Sequence, residues 1–447
     1  MNFKRRLVFL KRAIVLAGGG AKGSYHFGFW RALRELGIDF QIVTGSSVGA
    51  LNGAMMASGL YESGLEMWDT IKTKDIIETS PSRLSEVIDT EGIVGALKNF
   101  LGDLTENAVN VKMDPFPLGE LIAKYLDEKL LRESGIEFGI MCSEYPNMKI
   151  HPVTLEEIPY GMLSDYLLAS STVYPSMEPK EIGGKKYVDG GYSDNFPINL
   201  ALDMGAEDII GVNLCASGIE AKYETDYPVR IIRPWFDLGP TMEFVPEIAR
   251  RNMALGYNDT MRSFGKLDGT CYTFEKGESE KMQNEFEKFC VEMLTKCGAV
   301  APSEKSQYYK TLAVKGLSEK RKQRFGLMHK NLATVCAETA AETFFVDPTE
   351  IYTGESIKNA ILEKFLPFEE KEENPMANLF KTPKPLNYKL GQIGSIDSRE
   401  IIAYLVTLWL ELANSESHNR DLRTLCRFIP KEFFASLYIS FLKIKGE

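Results

Sequence analysis

The sequence predicts an α/β fold, with a mainly parallel sheet covered by helices on both faces and a mainly α-helical C-terminal region. Two observations carry this. Between residue 13 and about residue 215, short β-branched runs alternate with stretches of helical periodicity, the order that builds parallel sheets. From about residue 240 the texture changes to long charged and apolar stretches with helical spacing. No internal repeat of fixed period is present, so a solenoid is not expected.

Ala13 to Ala17 reads as a buried strand. After a glycine-rich turn, Tyr25, Phe29, Ala32, Leu33 and Leu36 recur at helical spacing while Arg31, Arg34 and Glu35 fall elsewhere, which predicts an amphipathic helix ending at Gly37. Phe40 to Thr44 is a second short strand, and Val48 onward, with Ala50, Leu51, Ala54, Met55 and Ala57, is a small-residue helix. Lys180 to Val188 reads as a hairpin closed by Gly183-Gly184, and Ile209 to Leu214 as a further strand. The segment from Pro375 through Pro383 to Pro385 reads as a loop or linker. The expected organisation is a basic N-terminal segment over 1–12, a domain over 13–240 and a helical region over 241–447.

Composition narrows the class. At roughly 150 residues per domain, 447 residues suggest two or three domains. With 44% hydrophobic and 26% charged residues, disordered, collagen-like and disulfide-scaffold classes are excluded. The 52 basic and 62 acidic residues leave a net charge of −10, which argues against nucleic acid as a partner. Seven cysteines form no CxxC pair and no histidine stands at metal-site spacing, so a reducing compartment and no structural zinc are expected. Lys4-Arg5-Arg6 followed by Leu7 to Leu10 mimics a signal peptide, but Lys11 and Arg12 cut the apolar run short. The longest apolar stretch, Ile401 to Leu412, is interrupted by Glu411 and is too short to cross a bilayer. A cytoplasmic location is therefore expected.

Three motifs carry chemistry. Gly45-Ser46-Ser47-Val48-Gly49 fits G-x-S-x-G between a strand and a helix, where a sharp elbow would lift the Ser47 hydroxyl above the sheet edge. Gly18-Gly19-Gly20-Ala21-Lys22-Gly23 follows the first strand and opens the first helix, so its N–H groups can face a developing anion. Asp189-Gly190-Gly191 ends the strand Lys185 to Val188; alone it is a turn signal, but beside Ser47 its carboxylate could accept the hydroxyl proton. None of the four histidines has motif context, and His26, the one near the glycine loop, is read as a packing or surface residue. A Ser–Asp dyad fits better than a triad.

The glycine loop also satisfies G-x-G-x-x-G, so a nucleotide-binding Rossmann unit is the competing reading. That reading demands an acidic residue at the end of the second strand. Asp39 instead precedes the strand, which runs into Thr44-Gly45-Ser46-Ser47. A Walker A loop fails because Lys22 precedes Gly23.

Taken together, the Gly18 to Gly23 loop, the Ser47 elbow and Tyr187-Val188-Asp189-Gly190-Gly191 resemble the patatin-like phospholipase family. Ala169-Ser170-Ser171 with Pro175, and Asn195 with Pro197, extend the resemblance, which covers roughly residues 13 to 215. The resemblance implies a three-layer α/β/α fold and lipid acyl hydrolysis by a Ser–Asp dyad without metal or cofactor. It implies Ser47 as nucleophile, Asp189 as base and the backbone of Gly18, Gly19 and Gly20 as the oxyanion loop. Lys22, Gly23, Gly45, Gly49, Gly190 and Gly191 support these motifs; the family often has arginine where this chain has Lys22. The implied partner is a lipid, phospholipid or lysophospholipid, met through transient membrane-surface contact. Phospholipase A, lysophospholipase, neutral-lipid lipase and general esterase all remain open, as does a catalytically idle interaction protein on the same scaffold.

An acyl groove is also implied. Met55, Met56, Phe27 and Trp30 are candidate walls, with core packing preferred for each. A wide apolar stripe of Phe433, Leu437 and Phe441, with Phe434, Tyr438 and Leu442 alongside, is read as a buried helix rather than a lipid-facing one.

Overall fold

The computed structural model describes residues 10–81 apart from 77, 111–297, 331–414 apart from 372, and 422–446 apart from 423, 424, 426 and 427. Most of the basic N-terminal segment, residues 1–9, lies outside the described residues. Its end does not: Lys11 pairs with Glu137 at 2.7 Å and Arg12 with Asp208 at 2.6 Å, so these two cations belong to the folded domain. The chain divides into two compact units that meet in sequence between Ser263 and Phe264.

The first unit begins with β1 (Arg12–Leu16), α1 (Tyr25–Leu36), β2 (Ile42–Ser46), α2 (Val48–Ala57) and α3 (Tyr61–Thr70), the strand, turn, helix alternation read from the sequence. Gly37, at φ 63°, caps α1 in the left-handed region that side chains avoid. A separate antiparallel pair, β3 (Glu78–Pro81) and β4 (Val111–Asp114), precedes α4 (Phe116–Tyr125) and α5 (Glu128–Glu133). Then come β5 (Glu137–Tyr145), β6 (Lys149–Thr154), α6 (Leu163–Ser170), β7 (Lys180–Ile182) and β8 (Lys185–Asp189). The unit ends with α7 (Ile198–Asp203), β9 (Asp208–Val212), β10 (Val229–Ile232) and α8 (Pro246–Ser263).

The main sheet runs β10-β9-β1-β2-β5-β8-β7, with β6 also on β5. Strands β10, β9, β1, β2 and β5 are parallel, while β6, β7 and β8 join antiparallel. Alternation along each strand sets the layers. Ala13, Val15 and Ile42 face a cluster with Phe196, Ile198 and Ala201 around α7. Leu16, Val43 and Phe138 face α2, whose Gly53 comes so close that an added Cβ would lie 3.0 Å from Val43. Helices therefore cover both faces, giving three layers.

The topology at β5 positions the site. Its residues Glu137 to Met141 pair with β2, and Cys142 to Tyr145 pair with β8. Because β6 occupies one edge over Gly139 to Glu144, β8 takes the other edge, the one β2 leaves after Met141. The ends of β2 and β8 thus abut along one edge of a single strand.

The sequence texture put the end of this domain near residue 240, but α8 belongs to the same compact unit. It crosses α1 where Gly28 and Gly256 remove side chains: a Cβ on Gly28 would sit 1.8 Å from the Met253 carbonyl oxygen, and one on Gly256 2.2 Å from that of Tyr25. The Tyr25 hydroxyl donates to Asp259 at 2.6 Å across the same contact.

The second unit is mainly helical: α9 (Glu278–Lys296), α10 (Leu332–Thr343), α11 (Gly354–Glu369), α12 (Pro375–Lys381), α13 (Leu386–Ile393), α14 (Ser398–Ala413) and α15 (Pro430–Gly446). Two-residue strands β11 (Thr273–Phe274) and β12 (Ile351–Tyr352) pair in parallel. Its core buries Phe286, Cys290 and Met293 of α9 and Ile402, Leu405 and Trp409 of α14, with Phe286 against Tyr438 and Phe441 and Trp409 against Phe433 of α15. The apolar stripe of α15, Phe433 to Leu442, is buried as read, and Trp409 Nε1 donates to Ser436 at 3.0 Å. The proline segment is not wholly a loop. Pro375 starts α12, where its missing N–H costs nothing, and the Asn374 side chain accepts from Met376 and Ala377 at 2.9 and 3.2 Å.

Candidate active site

Ser47 sits between β2 and α2 with φ 54° and ψ −130°, a conformation that costs a side-chain-bearing residue roughly 1–3 kcal/mol. The flanking glycines make this turn possible. A Cβ on Gly45 would lie 2.3 Å from the Gly49 carbonyl oxygen, and one on Gly49 2.2 Å from that of Leu16. The Ser47 carbonyl starts α2 by accepting from Ala50 at 2.8 Å. Its N–H donates to Ser170 Oγ at 2.9 Å.

Asp189 ends β8, and a 3-10 turn over Gly190–Tyr192 follows rather than a hairpin. Its N–H donates to Thr172 O at 2.9 Å, and its carbonyl accepts from the Ser143 hydroxyl at 2.8 Å. The side chain is 1% exposed. Oδ1 accepts from Gly191 N–H at 2.7 Å, while Oδ2 has no partner of hydrogen-bond geometry among the described residues. Burial pushes the carboxyl up to about 7, opposed by the Ser47 hydroxyl facing it and by the Gly191 N–H. Gly190 is required for closeness: a Cβ there would meet Met141 O and Ser46 Oγ, each at 2.4 Å.

The glycine loop divides into two roles. Gly18 was expected among the oxyanion donors, but its N–H donates to Asn195 O at 3.1 Å and its carbonyl accepts from Asn195 Nδ2 at 3.3 Å. It serves packing, because a Cβ there would lie 3.0 Å from that of Ser47. The N–H groups of Gly19 and Gly20 have no hydrogen-bond partner among the described residues, and both glycines line the cleft that holds Ser47 and Asp189. Gly20 has φ 54°, and a Cβ would strike Thr241 O at 2.2 Å. Lys22 is buried in the following 3-10 turn and does not line the cleft. Gly23 lets that turn touch α2, since a Cβ would lie 2.5 Å from Val48.

The cleft is predominantly apolar. Beyond Ser47 its wall includes Leu51, Met55, Trp68, Leu118, Ile122 and Phe244, and Asn195, Ser217 and Thr241 add uncharged polar groups. Of the candidate walls, Met55 takes part, while Phe27 and Trp30 pack against Tyr61 and Met56 is buried outside the lining. His26 is buried beside Asn52 at 3.2 Å, outside the lining, and burial drives its imidazole down to about 3. Among the described residues no group of His, Cys, Asp and Glu could hold a metal ion, and no helix is long and apolar enough to cross a membrane.

Residues 14–202 match the family model described as patatin-like phospholipase. This stretch is a patatin-like phospholipase domain. Its span contains the glycine loop, the Ser47 elbow and Asp189 together, which removes the basis for the Rossmann reading.

Relatives of the patatin-like domain are much longer proteins. Lysophospholipase NTE1 of Mycosarcoma maydis is 30% identical over 213 residues, 47% of this chain and 10% of that protein. Patatin-like phospholipase domain-containing protein 6 of Homo sapiens is 25% identical over 276 residues, 58% of this chain and 18% of that protein. The chain therefore spans less than a fifth of these curated relatives. The crystal structure of VipD from Legionella pneumophila aligns over 97% of this chain and 91% of that one, at 13% identity and TM-score 0.34.

Part of the cleft of the patatin-like domain escaped the sequence reading. Leu118 and Ile122 of α4 stand at helical spacing, a signal that marks a buried face without saying what it faces. Thr241 and Phe244 lie beyond the family match, in a segment with no periodicity to read.

Proposed function

We propose that this chain is a serine lipid acyl hydrolase that cleaves carboxylic ester bonds of phospholipids or related lipids. The observation that carries the reading is the meeting of the Ser47 hydroxyl and the buried Asp189 carboxyl at one apolar cleft, beside the unpartnered N–H groups of Gly19 and Gly20. Ser47 Oγ attacks the ester carbonyl carbon while Asp189 takes its proton. The oxyanion forms against Gly19 and Gly20, where each donor is typically worth about 100 to 1,000-fold in rate. Collapse expels the alcohol, which receives the proton from Asp189, and leaves the acyl group on Ser47. Water then attacks that ester, Asp189 accepts its proton, and the fatty acid departs as the proton returns to Ser47.

An aspartate of ordinary acidity would be a feeble base for serine, so the raised proton affinity of Asp189 supports this role. The apolar wall suits an acyl chain and excludes water from the oxyanion. Relatives named lysophospholipase and patatin-like phospholipase support a lipid as substrate, reached by transient contact with a membrane surface. Cysteine usage, seven residues without a CxxC pair, supports a cytoplasmic setting.

The test uses Ser47→Ala and Asp189→Asn, with circular dichroism to confirm the fold. Both should abolish hydrolysis of a nitrophenyl ester and of lysophospholipid, and a fluorophosphonate should label the wild type at Ser47. Full activity in either variant rejects the dyad. Absence of labelling together with thermal stabilisation by NAD(P) would revive nucleotide binding, and a folded wild type inert towards a panel of lipids would favour an idle interaction protein.

A further inference from the structure

We infer that Ser170 is a positioning residue that holds the Ser47 elbow against the strand carrying the base. The inference rests on the proposed Ser47–Asp189 chemistry. Ser170 ends α6 and is 0% exposed. Its hydroxyl is used in both directions, accepting from the Ser47 N–H at 2.9 Å and donating to Met141 O at 2.7 Å. Met141 is the last β5 residue to pair with β2, opposite Ser46, and the next residue, Cys142, is the first to pair with β8, opposite Asp189. The same carbonyl oxygen packs against Gly190, 2.4 Å from where a Cβ would be. One hydroxyl therefore ties the nucleophile's backbone to the point where the two strands meet.

Two consequences follow. The Ser47 N–H is committed to Ser170 and does not serve the oxyanion, which leaves that task to Gly19 and Gly20. The left-handed conformation of Ser47 is under steric cost, and a hydrogen bond to a buried, doubly engaged hydroxyl opposes its relaxation. Without that hydroxyl the Ser47 N–H and Met141 O both lose a buried partner, and the Ser47 side chain is free to turn from the Asp189 carboxyl. A misplacement of about 1 Å can cost on the order of 100-fold in rate.

Ser170→Ala, Ser170→Thr and Ser47→Ala test this with a nitrophenyl ester and a fluorophosphonate probe. Ser170→Ala should lower kcat by about 10 to 100-fold with KM within about twofold, and should slow labelling of Ser47 by the same factor. Its acidic pH limb should move upward, because the Ser47 hydroxyl no longer helps keep the Asp189 carboxylate charged. Ser170→Thr, which keeps a hydroxyl, should recover most of the rate. A folded Ser170→Ala enzyme with wild-type kcat and labelling overturns the inference, as does a loss confined to KM or a pH limb that stays in place. Retained hydrolysis in Ser47→Ala is a different failure: it removes the dyad, and the Ser170 inference with it.

Discussion

Ser46 and Asp189 pair with consecutive residues of one strand, Met141 and Cys142, along the same edge of β5. One strand arrives parallel and the other antiparallel, so their ends point at each other. The residue after Ser46 is the candidate nucleophile, and Asp189 is the candidate base. Side chains from distant parts of the chain are brought to one cleft mouth by backbone pairing, with β5 as the common rail.

The base must be ionised to accept a proton, and burial lifts Asp189 to about 7. We expect kcat/KM for a nitrophenyl ester to climb between pH 5 and 8 with an apparent pKa of about 7. A profile already at its plateau at pH 5 would contradict a buried aspartate base.

The same shift bears on stability. A carboxyl whose proton affinity rises on folding contributes stability below its ordinary value near 3.8, and that contribution is lost as the pH climbs through about 7. Within that window wild type should lose at most about 1.4 kcal/mol per pH unit on this account. Asp189→Asn removes the titration, so its Tm relative to wild type should be higher at pH 8 than at pH 5. Parallel Tm curves for the two proteins would refute the linkage.

Neighbouring loop glycines should respond differently. Gly20→Ala forces a Cβ at φ 54° to within 2.2 Å of a backbone oxygen, whereas Gly19→Ala meets the end of the Leu214 side chain at 2.9 Å. In urea unfolding, Gly20→Ala should be the more destabilising by about 1–3 kcal/mol. Equal losses would mean that the loop moves freely and that the close approach to Thr241 is unimportant.

Cleft depth should set acyl preference. Ile122 is a buried wall residue on α4. Ile122→Trp adds bulk there and should depress hydrolysis of long-chain nitrophenyl esters at least tenfold more than that of the butyrate, about 1.4 kcal/mol of selectivity. An unchanged ratio would place the acyl chain elsewhere.

Much of the outline of the candidate site is legible in the sequence, because it depends on local sterics. The turn around Ser47 needs glycine at positions 45 and 49, the Gly20 turn needs a positive φ, and strand and helix periods show in windows of a dozen residues. The start of α12 at Pro375 was legible too in principle, through Asn374, but proline density masked the cap.

Long-range packing distributes the hydrogen-bonding groups. Gly18 looks equivalent to Gly19 and Gly20 in the sequence, yet Asn195 claims its N–H. Ser170 and Ser171 are alike in sequence, yet one clamps the elbow and the other lines the cleft. Each of these outcomes turns on a partner more than 100 residues away, and a donor's availability is set by whichever acceptor the folded chain delivers to it. Local sterics set which backbone turns are possible; packing of β2 and β8 on β5 sets which atoms meet.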